Sequence, residues 1–118
     1  MLFRSLDKLL PAWGVQFDKN KVVADQNFVT RMRGRGNRVE ANSTVLSLTK
    51  DAINEDPSTF QIDNLLMAFP GAFTGAPAEG LKQTVLLKTT SMSQLVEGFL
   101  AQMSADQINK DFKASGKE

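Results

Sequence analysis

Ser47-Leu48-Thr49-Lys50 has the Ser-x-x-Lys spacing that, on a helix, sets a lysine one turn from a serine nucleophile for acyl transfer. The same spacing recurs at Ser5-Leu6-Asp7-Lys8, and the companion Ser-Asp-Asn and Lys-Thr-Gly elements are missing, since Lys88-Thr89-Thr90 does not replace them. Such a nucleophile also needs a base and an oxyanion site. The chain contains no Cys, no His and no Tyr. That removes thiolate nucleophiles, disulfides and Cys-ligated metals, and with them Ser-His-Asp triads and His-based zinc chemistry. No residue is therefore assigned a catalytic, cofactor-binding or metal-ligating role.

The second candidate is the run Arg31-Met32-Arg33-Gly34-Arg35-Gly36-Asn37-Arg38. Guanidiniums spaced along a flexible, Gly-containing loop can contact successive phosphates or carboxylates. Arg31, Arg33, Arg35 and Arg38 are accordingly the candidate partner-binding residues. No aromatic residue occurs between Phe28 and Phe60, so a platform for stacking bases is lacking. A solvated loop, or one that docks on an acidic partner or anionic lipid headgroups, outranks nucleic acid, and a small nucleic-acid-binding module using Arg31 to Arg38 stands as the alternative.

Other patterns carry less. Gly34-Arg35-Gly36 lacks the third glycine, strand and helix of a dinucleotide site. Asp51, Glu55 and Asp56 lack the spacing of a calcium loop and read as a solvated turn with a helix cap. Asn42-Ser43-Thr44 meets the glycosylation pattern, which matters only in a eukaryotic secretory protein. Met67, Met92 and Met103 read as core filler.

These residues sit on a chain of 118, with 14 basic and 13 acidic side chains, a net charge of +1 and 42% hydrophobic residues. Those values describe one soluble domain over 1–118. Charge is uneven, however: residues 1–50 carry +5 and residues 51–118 carry −4. The longest apolar run, Leu65 to Phe69, is far short of the roughly 20 residues that span a bilayer. Arg4, Asp7 and Lys8 interrupt the apolar opening, so no signal-peptide core forms, and any export signal would lie on a longer parent chain.

Apolar residues at Leu2, Phe3, Leu6, Leu9, Leu10 and Trp13 predict an amphipathic helix that Pro11 should end. Alternation at Val15 and Phe17, then the run Val22-Val23-Ala24 closed by Asp25, predicts two strands. Residues 26–43 show no period and read as a long mobile Arg/Gly-containing loop. Thr44 to Leu48 reads as a buried strand, and Asp56-Pro57 as the start of a helix. Leu65 to Phe69 fits a helix or a strand equally by spacing. Thr84-Val85-Leu86-Leu87 is the clearest strand signal. A helix capped at Ser91 or Ser93 should bury Leu95, Val96, Phe99, Leu100 and Met103, and the Ser104-x-x-Gln107 capping box opens a last short helix. The polar end, Lys113 to Glu118, reads as frayed. Helices mixed with strands predict an α/β or α+β sandwich.

Taken in order, Leu6-Asp7-Lys8-Leu9-Leu10-Pro11-Ala12-Trp13-Gly14-Val15 and Asn20-Lys21-Val22-Val23-Ala24-Asp25 resemble a segment of the gliding-motility-type auxiliary components of uncharacterised bacterial ABC transport systems. Ile62 to Phe73 and Val85-Leu86-Leu87-Lys88-Thr89-Thr90-Ser91 are similar to later segments of the same family. The resemblance implies a strand across Leu65 to Phe69 after a short helical turn. It also implies an α/β fold, a small mixed sheet of about four to five strands flanked by helices, as an amidotransferase-like or Rossmann-like fragment. The Cys-His pair of an amidotransferase is absent, so the likeness concerns shape and not chemistry. The implied function is that of a non-catalytic, extracytoplasmic accessory domain, excised from a membrane-anchored parent in the bacterial cell envelope. Its implied partners are the ABC permease and ATPase of the same system.

Overall fold

The computed structural model describes residues 2–118, with the side chains of all of these except 2–5 and 35. An amphipathic helix α1 (Leu2–Ala12) leads into strands β1 (Val15–Phe17), β2 (Lys21–Asp25), β3 (Val29–Arg33) and β4 (Val39–Thr49). Then come β5 (Asn64–Ala68), β6 (Phe73–Gly75) and β7 (Ser93–Glu97), and finally the short helices α2 (Gly98–Met103) and α3 (Ala105–Lys110). The expected mixture of helices and strands is present. Its organisation differs from a single mixed sheet, because the strands form three small antiparallel sheets: β1 with β6, β2 with β7, and β3-β4-β5. A parallel, Rossmann-like pairing needs a crossover between strands, usually a helix. Here α1 precedes every strand and α2 and α3 follow the last one, so no β-α-β unit can form.

Leu6, Leu9, Leu10 and Trp13 recur on one side of α1, and Pro11 falls in its last turn, where Gly14 N donates to the Pro11 carbonyl to close the helix. Gly14 has φ +79, and a side chain there would collide with the Ala76 carbonyl. Gly75 faces it with φ +96 and only 2.5 Å between a built Cβ and the Gly14 oxygen. Two glycines thus let β1 and β6 meet, and beyond them Phe17 and Phe73 pair across the strands with ring centroids 5.3 Å apart.

The core lies between β2 and the inner half of β4. Val23, Phe28, Leu46, Leu48 and Ala52 are buried together, flanked by Leu65, Met67, Ala72 and Leu87. Each such large side chain contributes about 1.5–3 kcal/mol on leaving water. At the end of β5, Phe69 takes φ 51, a left-handed conformation costing an L-residue roughly 1–2 kcal/mol. Hydrogen bonds from Phe69 N to the Thr44 carbonyl and from Val23 N to the Pro70 carbonyl, both 2.8 Å, hold the chain through it. Among the described residues no helix is long and apolar enough to cross a membrane.

Several local expectations need correction. Segment 26–43, expected as a loop, is mostly a β-hairpin, with β3 and the outer part of β4 joined by a tight turn. Arginine and polar residues hide the period there because both faces of the hairpin are solvated. Thr84 to Leu87 forms no strand but a single bridge, Ile53 to Leu87. Its partner segment emerges from the 3-10 turn Lys50–Ala52, which offers too little extended backbone for a ladder. Residues 93–97 are β7 and not helix, since Lys21 to Asp25 supplies a full-length antiparallel partner. Asp56-Pro57 starts only a turn. Met67 packs on the core, whereas Met92 and Met103 are exposed. The end of the chain is docked and not frayed: Ser115 N and Gly116 N donate to the carbonyls of Ser93 and Ser91.

Candidate functional site

The hairpin that carries the arginines is built from a strict local register. Thr30 pairs with Asn42, Arg31 with Ala41, Met32 with Glu40 and Arg33 with Val39. Its turn, residues 34–38, is closed by Gly34 N donating to the Arg38 carbonyl at 2.8 Å. Gly36 (φ 76) and Asn37 (φ 61) supply the left-handed turn, a conformation that glycine and asparagine tolerate best.

At its base the ladder slips. Val29 pairs with Leu46 while Thr30 pairs with Asn42, so the extra residues Ser43, Thr44 and Val45 are folded inward and buried. Buried polar groups need partners, and α3 provides one for Ser43 while Asn42 serves Thr44. Ser104 caps that helix by accepting from Gln107 N, as the capping box predicts, although the Gln107 side chain turns to Asp111 instead of back to the cap. Asn109, the next-to-last residue of α3, accepts from Ser43 Oγ at 3.0 Å and donates to the Ala41 carbonyl at 2.9 Å. Asn42 Oδ1 accepts from Thr44 N and Oγ1. Asn109 and Asn42 therefore fix the angle at which the hairpin leaves the core.

Arg31, Arg33 and Arg38 are exposed, and the structure brings them onto one protruding element. The side chain of Arg35 lies outside the described residues. The ion pairs among the described residues are Lys50–Asp63 and Lys88–Glu118, so none of these three arginines holds a carboxylate. Cross-strand partners share a face of a pleated ladder. Arg31 and Arg33 therefore share theirs with Ala41 and Val39, while Glu40 sits on the other face with its carboxyl against Gly34.

The Ser-x-x-Lys pattern is dismantled by the fold. Ser47 lies on β4 and Lys50 opens the 3-10 turn that follows it, so the two do not stand one helical turn apart. Its hydroxyl meets Thr30 Oγ1 at 2.6 Å, and Lys50 pairs loosely with Asp63 at 3.9 Å. Beside Lys50 a surface hollow of about 440 Å³ is lined by Asn54, Glu55, Asp56, Phe60 and Ile62. There Asp56 is lowered below its ordinary value of 3.8, because first the hydroxyl and then the backbone N–H of Ser58 donate to its carboxylate. Among the described residues no three acidic side chains gather in a way that could hold a metal ion.

Sequence reading missed the polar junction at Asp25. This carboxylate is fully buried, accepting from Thr90 N at 2.7 Å, from Thr90 Oγ1 at 2.9 Å and from Asn27 N at 2.9 Å. It ties the end of β2 to the segment before β7, and it is structural. Only the position of an Asp closing a β-branched run hinted at it.

With this geometry in view, comparison with known proteins finds one family. The family model described as "ABC-type uncharacterized transport system" matches residues 3–118, and the chain belongs to that family of transport-system auxiliary components. No curated protein and no solved structure matches.

Proposed function

We propose that this member of the ABC-type transport family is a non-catalytic accessory domain that works outside the cytoplasm by contacting other proteins of its system. The observation that carries the contact mode is an excess of surface. A folded chain of 13.0 kDa should expose about 6,300 Å², and this one exposes 8914 Å². Large apolar side chains contribute to it: Leu6, Leu9, Trp13, Phe17 and Phe73 on the α1–β1–β6 lobe are each 40% exposed or more. Large apolar side chains exposed together on one lobe mark protein contact sites. The partners under this reading are the permease and ATPase subunits of the same system, and the parent is anchored in the bacterial cell envelope. The arginine hairpin supplies a second contact, toward an anionic or acidic partner.

The direct test is affinity capture of the full-length parent from detergent-solubilised membranes. Recovery of a permease and an ATPase is the expected result, and capture of neither discards the accessory role. A reporter fused beside the domain should be active only on the extracytoplasmic side. The non-catalytic part is tested separately, because Lys50→Ala should leave the purified domain unchanged in every hydrolase assay, and a turnover that this substitution abolishes would overturn it.

A further inference from the structure

β3 is bonded to β4 along one edge, and its other edge is the outer margin of the β3-β4-β5 sheet. An edge of this kind offers unpaired N–H and C=O groups as a template for another strand. Charge decides which strand. Arg31 and Arg33 project from the same face about 7 Å apart, two residues along the chain. The neighbours on that face, Ala41 and Val39, carry no charge, and the one carboxylate of the hairpin, on Glu40, lies on the other side.

A second copy of β3 laid against the first would set arginines close to arginines, which is unfavourable for directly facing strands. A neutral strand would leave both guanidiniums without partners. A strand with carboxylates at alternate positions completes the edge with main-chain bonds and meets each guanidinium with a forked, charge-assisted pair. A nucleic-acid backbone offers no N–H or C=O ladder to the edge, and residues 29–59 bring no ring for its bases. We propose that the open edge of β3 captures an extended acidic segment of a partner protein, with Asp or Glu at every second position. This proposal rests on the protein-contact reading above and names the chemistry of that partner at the hairpin.

The test is fluorescence anisotropy of the whole 118-residue chain with a labelled seven-residue peptide that alternates Glu with Val and Thr. Saturable binding is expected, with amide shift changes in NMR centred on residues 29–33. Arg31→Gln with Arg33→Gln should weaken it about tenfold or more, the loss of two charge-assisted pairs. N-methylation of alternate peptide amides, which keeps the charge and blocks the ladder, should weaken it as much. Equal binding of the N-methylated peptide, or of one with its glutamates in a block, would reduce the effect to charge attraction and overturn strand capture. Tighter binding of oligo-dT or of vesicles rich in phosphatidylglycerol would overturn it in favour of a polyphosphate or a membrane surface, and so would absence of binding at millimolar peptide. Because the parent's capture of transport subunits is measured independently, absence of peptide binding with that capture intact would remove strand capture at β3 while leaving the accessory role standing.

Discussion

The Asp25 junction and the arginine hairpin both carry formal charge, and the fold treats them in opposite ways. Asp25 has no exposed surface, and the Asn27 N–H together with the N–H and hydroxyl of Thr90 supply its carboxylate with hydrogen bonds. Arg31 and Arg33 stand in solvent with no carboxylate opposite them. A buried charge that lost its donors would cost several kcal/mol, so its partners are built in and its task is to hold two segments together. An exposed, unpaired cation costs little to keep, and it is free to bind something outside the chain. What separates the two regions is whether the partner is already part of the molecule.

Breaking the junction should have the largest effect. Asp25→Ala leaves Thr90 N and Asn27 N without acceptors and is expected to cost about 3–5 kcal/mol, read as a lower urea midpoint or as failure to fold. Asn109→Leu, which uncouples α3 from the hairpin base, should cost about 1–2 kcal/mol and speed hydrogen exchange selectively at residues 39–44. Uniform acceleration across all strands would refute the hinge role of Asn109. Arg31→Gln with Arg33→Gln should move stability by no more than about 0.5 kcal/mol, and a larger loss would show that the guanidiniums have an internal partner after all. The smallest effect belongs to Asp56, whose carboxyl is lowered on folding. Its contribution to stability is present above its unfolded value and fades as pH falls through the lower folded one. In Ser58→Ala, which removes the hydroxyl donor and keeps the backbone N–H, an NMR titration should find the Asp56 carboxyl moved part of the way back toward its ordinary value, with that pH dependence reduced.

Legibility in the sequence followed how local the causes were. α1, β1 and β2 could be read because the spacing of Leu6, Leu9 and Trp13 and the alternation of Val15 and Phe17 report faces set within a few residues. The Ser104 cap was legible for the same reason. At Leu65 to Phe69 spacing left helix and strand open, and the family likeness decided for the strand that β5 forms. β7 was misread because Leu95, Val96 and Phe99 suit a helix until the distant strand Lys21–Asp25 is available to pair. Val85 and Leu86 had the composition of a strand and lacked only a partner of sufficient length, which no window of the sequence reveals. The arginines were found, but their shared face was not, since the hairpin depends on Asn42 and on Asn109, which is 68 residues from the Ala41 carbonyl it binds.

Trp13 is the only tryptophan in the chain, and it sits half-exposed where α1 ends, with its carbonyl accepting from Ala78 N. α1 packs chiefly on β1, away from the Val23–Leu46 cluster, so indole emission senses the lobe and not the core. Amide NMR signals of β2 and the inner half of β4, by contrast, report the core. If the lobe opens before the core melts, the two signals will give separate transitions during heating, and two-state analysis would not apply. The molecule thus carries a natural optical reporter at its apolar contact surface, one that should shift to the blue when a partner covers it.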